Sequence, residues 1–142
     1  MSIHDQKQRL RKKFAKYIKG IRTSITTPYD LKANGILERN INNIEHGTAN
    51  YTIDTLFKYL NHCGLSIFFH EGSWDRGASN KLELGQYLTS IRKKKEFNRN
   101  YLVKKGIKID NINSIERATK EYTIDSLLLY CKALGIEIKL IS

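Results

Sequence analysis

The sequence predicts a mainly α-helical protein made of two tandem copies of one four-helix unit, each copy followed by a short β-strand. Three observations carry this expectation. The chain matches itself at an offset of 71 residues, apolar residues recur at helical spacings of three and four within each copy, and each copy ends on a short apolar or alternating stretch.

The repeat runs in order through Leu31/Leu102, Gly35/Gly106, Ile36/Ile107, Asn40/Asn111, Ile41/Ile112, Asn42/Asn113, Ile44/Ile115 and Glu45/Glu116. Tyr51-Thr52-Ile53-Asp54 then recurs as Tyr122-Thr123-Ile124-Asp125, followed by Leu56/Leu127, Tyr59/Tyr130, Gly64/Gly135 and Ile67/Ile138. Toward the N-terminus Tyr17, Ile21 and Arg22 match Tyr87, Ile91 and Arg92 at an offset of 70, so one residue is lost between the first and second helices. Residues 70–80, rich in Gly, Ser, Asp and Asn, read as a linker without periodicity. The expected domains are therefore residues 1–69 and 81–142.

The first helix carries Leu10, Phe14, Tyr17, Ile18, Ile21 and Ile25 on one face and Arg9, Arg11, Lys12, Lys13, Lys16 and Lys19 on the other. Thr27-Pro28 predicts an N-cap with proline at the first helical position, and Asn98 supplies the second cap. Gly35 and Gly106 end the short second helix, where a left-handed residue is wanted. A third helix follows, with Ile41 and Ile44 or Ile112 and Ile115 facing inward. Between them it displays Arg39, Asn40, Asn42 and Asn43, or Asp110, Asn111, Asn113 and Ser114, side chains able to read base edges. The fourth helix opens at Thr52 or Thr123 and stops at Gly64 or Gly135. Segments 65–69 and 136–141 are strand-like, and since an isolated strand has no ladder, they are expected to pair with each other or with a second chain.

The chain has 25 Lys and Arg against 14 acids, a formal charge of +11, which favours a polyanionic partner such as nucleic acid or an acidic membrane. The charge is spread: residues 1–71 carry 11 basic and 6 acidic side chains, residues 72–142 carry 14 and 8. No apolar run is long enough to span a bilayer, and no signal peptide is visible, so a soluble cytoplasmic protein is expected. Cys63 and Cys131 fall on apolar helix positions and read as reduced core residues. His4, His46, His62 and His70 are scattered, with no metal spacing, nucleophile motif or phosphate-cradling loop. Neither an enzyme nor a bound metal or cofactor is expected.

The ordered set Ile21-Arg22, Gly35-Ile36, Ile41 to Glu45 and Thr52-Ile53-Asp54, found again as Ile91-Arg92, Gly106-Ile107, Ile112 to Glu116 and Thr123-Ile124-Asp125, resembles the Xre-type family of Cro and lambda-repressor-like helix-turn-helix proteins. The resemblance covers residues 14–67 and 84–138. It implies that the first-helix Arg pairs with the third-helix Glu, Arg22 with Glu45 and Arg92 with Glu116. It implies that the third helix enters the DNA major groove while the start of helix two meets phosphate. By position, Arg39, Asn40, Asn42, Asn43, Lys108, Asn111, Asn113 and Ser114 become the base-contact candidates. Asn pairs with adenine, so A·T pairs are expected in the site.

Thr27, Asn98 and Arg99 become phosphate contacts, joined by the basic runs Arg9, Arg11, Lys12 and Lys13 and Lys93, Lys94 and Lys95. Departures from the pattern are the shorter helix two, the missing Ser/Thr cap at Leu37 or Lys108, Arg99 where the family has Gln, and the acids Glu38 and Asp110 near the expected phosphate end. The expected activity is sequence-specific binding of double-stranded DNA by a nucleoid-associated transcriptional regulator, a repressor by default. The two copies would act as a covalent pseudo-dimer on two non-identical half-sites, a homodimer of chains being the second arrangement. A protein-interaction module, such as an antitoxin covering a toxin, is the competing class.

Overall fold

The computed structural model of the chain describes residues 2–72, 74 and 76–142; Met1 in the first unit and Ser73 and Asp75 in the linker lie outside the described residues. Ser2 opens α1 (Ile3–Arg22), its Oγ accepting from the Asp5 N–H at 3.1 Å. The helix stops short of its expected end. Thr23 and Ser24 donate their hydroxyls back to the carbonyls of Gly20 and Ile21, both at 2.8 Å, and such back-bonding competes with helix continuation. Ile25, expected on the apolar face, is 43% exposed in the turn that follows.

Thr27 caps α2 (Pro28–Ala33), and Asn98 caps its counterpart α6 (Arg99–Lys104). Gly35 and Gly106 then turn the chain with φ of +88° and +95°, a backbone region that a side chain would strain. The third helices are α3 (Glu38–His46) and α7 (Ile109–Arg117), and neither Leu37 nor Lys108 makes a side-chain cap. Thr52 and Thr123 cap α4 (Ile53–Cys63) and α8 (Ile124–Leu134), and Asn80 caps α5 (Lys81–Lys94). The strands are shorter than expected: β1 (Ser66–Phe68) and β2 (Lys139–Ile141). Among the described residues there are thus eight helices and two strands, and no helix is long and apolar enough to cross a membrane.

Each half buries the same set of residues. Ile18, Leu31, Ile44, Leu56 and Tyr59 are completely buried in one, and Leu88, Leu102, Ile115, Leu127 and Tyr130 at the matching positions of the other. Burial of this kind supplies the main driving force, about 1.5–3 kcal/mol for each large side chain. The two sets belong to one continuous apolar core. Cys63 and Cys131 are free and buried, as their positions predict.

The halves meet about a pseudo-two-fold axis. Ile53 donates its N–H to Tyr122 O and Ile124 its N–H to Tyr51 O, both at 2.9 Å, so that Thr52 faces Thr123 across an antiparallel bridge. At the other end β1 and β2 pair antiparallel with Phe68 opposite Lys139. Both facing pairs are repeat-equivalent residues, which places the axis between them. Off the axis the contacts come in matched couples. Leu140 N–H donates to Tyr17 Oη and Phe69 N–H to Tyr87 Oη, both at 3.0 Å; Asp125 N–H donates to Asn50 Oδ1 at 3.1 Å and Asp54 N–H to Glu121 Oε1 at 3.3 Å.

One matched couple corrects an expectation. Arg11, assigned to phosphate contact from its place in a basic run, is only 7% exposed and donates to both carboxylate oxygens of Asp125 in the other half, at 3.0 and 3.2 Å. Its counterpart is Lys81, 3.2 Å from Asp54. Arg11 from the middle of α1 and Lys81 from the start of α5 each stitch a first helix to the first turn of the opposite fourth helix. The linker is likewise more than a spacer: Ala78 pairs with Ile67 and Trp74 stacks on Tyr87.

Candidate nucleic-acid interface

In each half one buried ion pair fixes the third helix against the first. Arg22 reaches Glu45 at 2.9 and 2.7 Å, and Arg92 reaches Glu116 at 2.7 and 3.0 Å, in the two-pronged geometry that holds a carboxylate best. Each carboxylate also accepts a tyrosine hydroxyl, Tyr59 at 2.5 Å and Tyr130 at 2.6 Å. Burial by itself would raise the Glu45 and Glu116 carboxyls, but the hydrogen bonds from Arg and Tyr outweigh it and hold both below the usual range. Burial and the same carboxylate push the Tyr59 hydroxyl up, keeping it a donor. The tyrosines were visible in the repeat as Tyr59/Tyr130, yet their role as a third partner was not, because apolar spacing alone accounts for them.

With its inner face held in this way, α3 turns Arg39 and Asn42 to solvent, while Asn40 and Asn43 are half-buried. Asn43 accepts the Thr48 hydroxyl at 3.0 Å, which ties it to the helix end. On α7, Lys108 and Asp110 are exposed and Asn111 and Asn113 half-buried, with Asn113 Oδ1 buried and unpartnered among the described residues. Ser114 must be removed from the base-contact set. It is 7% exposed and donates its hydroxyl to Asp110 O, one turn back at 2.9 Å. The first half therefore offers the more open polar face.

The phosphate candidates divide. Arg9, Lys12, Lys13, Lys93 and Lys94 are exposed, Lys95 is half-buried, and Arg11 is spent on Asp125. Lys13 stands 4.0 Å from Glu137. Thr27 and Asn98 use their side-chain oxygens as caps for Asp30 N and Tyr101 N. Arg99 leans inward onto Glu116 at 3.4 Å, so its guanidinium reinforces the buried pair.

Lys16, Lys19, Lys104 and Lys105, left out of the candidate contacts, join Lys12 and Lys108 in two groups of cations. Lys12, Lys16 and Lys19 follow one another at helical spacing along α1 and line an open hollow with His46 at the end of α3. The matching positions of α5 are Leu82, Gln86 and Thr89, so this stripe belongs to the first half alone. In the second half Lys104, Lys105 and Lys108 surround the α6–α7 turn, all exposed. Helical periodicity read the first group as the solvated side of α1; what gives it a site is the approach of His46. The chain matches no protein-family model, no curated protein and no solved structure.

Proposed function

We propose that the chain is a transcriptional regulator that binds double-stranded DNA sequence-specifically, as a covalent pseudo-dimer of two lambda-repressor-like helix-turn-helix units. The observation that carries this reading is the pseudo-two-fold pairing of two units whose third helices keep polar faces toward solvent. Two-fold symmetry in a reader of this kind mirrors the two-fold symmetry of duplex half-sites, about one DNA turn or 34 Å apart. The chain permits that spacing. Residues 47–51 and 118–122 connect each third helix to the axis at Thr52 and Thr123, and five residues reach at most about 18 Å. A nine-residue helix adds about 13 Å.

Arg39 and Asn42 are the principal base readers, with Asn40 and Asn111 at the margin. Lys12, Lys16 and Lys19 in one half and Lys93, Lys94, Lys104 and Lys108 in the other supply sequence-independent grip by counterion release. Because the exposed residues of α3 and α7 differ, the preferred site has two unlike half-sites. Selection from a random duplex library tests the reading: it yields a preferred duplex with A·T positions in one half, bound far more tightly than its scrambled version at physiological salt. Equal affinity for the two duplexes at every salt concentration refutes it.

A further inference from the structure

The backbone pseudo-symmetry is broken along the outer edges of the two strands. On the β1 side the linker folds back over the edge. Ile67 and Ala78 exchange backbone hydrogen bonds of 2.9 and 2.7 Å, Arg76 pairs with Glu83 at 3.1 Å, and Trp74 stacks on Tyr87 with ring centroids 4.7 Å apart. A β-carbon at Gly77 would lie 2.5 Å from Ser66 Cβ, so the linker must run close there.

The residues that the linker covers, Ser66, Ile67, Glu83 and Tyr87, have as repeat equivalents Glu137, Ile138, Lys13 and Tyr17. These four line an open groove of about 550 Å³ beside β2, with Leu10 and Cys131 as part of its floor. Among the described residues, neither the N–H nor the C=O of Ile138 has a hydrogen-bond partner. Ile138 immediately precedes β2, and unpaired main-chain groups that continue a strand are a template for another chain.

We propose that this groove docks an extended segment of a partner protein, which adds to the edge at Ile138 as the linker adds to the edge at Ile67. The covered groove specifies the occupant. An aromatic side chain lies over Tyr17, as Trp74 lies over Tyr87. A glycine passes Glu137, whose β-carbon stands where that of Ser66 stands, and a small residue faces Ile138. The charge is inverted: Lys13 replaces Glu83, and Arg9 and Lys132 also line the groove, so the position of Arg76 is taken by an acid. Main-chain pairing supplies affinity and the aromatic and acidic positions supply specificity, the usual division when a peptide extends a sheet. The site is separate from the third helices and stands whether or not the chain binds DNA.

The probe is a fluorescein-labelled synthetic peptide with the sequence of residues 70–80 carrying Arg76→Glu, titrated with the full chain. Saturable 1:1 binding is expected, at least about tenfold weaker when the peptide also carries Trp74→Ala. Amide shifts should centre on residues 136–140. Lys13→Glu in the protein, at an exposed side chain, should reverse the preference so that the unsubstituted peptide with Arg76 binds better than the Arg76→Glu form. That reversal is one that misfolding would not produce. Absence of saturable binding, indifference to Trp74→Ala, an unchanged charge preference, or shifts centred on α3 or α7 would each overturn the proposal.

Discussion

Glu45 and Glu116 each hold a buried charge, and three donors at Glu45 and four at Glu116 stand between that charge and its full desolvation cost. Glu45→Ala strands the Arg22 guanidinium and should cost about 3–5 kcal/mol, read as a lowered midpoint in urea. The acid limb has a definite sign. Both carboxyls are held below their usual 4.5 in the folded chain, so the unfolded chain takes up protons first. Their contribution is complete above that value and is lost as pH falls through the lowered folded values. An acid titration of the wild type should therefore show a stability loss starting below about pH 4.5, and one that is smaller in Glu45→Gln. On the exposed side the two kinds of cation separate by salt. Arg39→Ala should cost about 1–3 kcal/mol on the preferred duplex and relax its sequence preference, whereas Lys16→Ala should weaken all duplexes alike and reduce the salt slope by about one. Fluorescence anisotropy at several salt concentrations distinguishes them.

At the scale of elements, the matching helix pairs are not packed equally. Ala15 of α1 is buried with its methyl accommodated, while at the equivalent Gly85 of α5 a β-carbon would come 2.6 Å from the carbonyl oxygens of both Ile115 and Glu116. Those oxygens belong to the backbone of α7 and cannot swing away. Gly85→Ala should push α5 from α7 and destabilise the fold by about 1–3 kcal/mol, measured by thermal or urea denaturation. Helix order, and the caps and stops of the second and fourth helices of each unit, were legible in the sequence because they depend on neighbours three or four residues away, whereas the end of α1 at Arg22 and the Asn80 cap of α5 were not. Arg11 was misread for the opposite reason: its partner Asp125 is 114 residues distant, and a buried arginine in a basic run looks like its solvated neighbours. Ser114 replaces the Asn43 of the other copy, and nothing in that exchange reveals a hydroxyl bonded back to its own helix.

For the molecule as a whole, the repeat announces two units but not how they face one another. That information lies in the facing pairs Thr52/Thr123 and Phe68/Lys139, which no spacing within a unit encodes. The continuous core and the buried Arg11–Asp125 pair make the two halves one cooperative body. Denaturation followed by circular dichroism and by Trp74 fluorescence should give coincident single transitions, with a monomer by light scattering at micromolar concentration. A rigid pseudo-dimer also fixes the distance between its two third helices, the proposed readers. The most direct measurement is the affinity for the selected duplex after five base pairs, half a helical turn, are inserted between its half-sites. Affinity should fall to about the level of a scrambled duplex, since the second helix then meets the wrong side of the DNA. Affinity unchanged by that insertion would rule out two third helices held at a fixed spacing on one duplex.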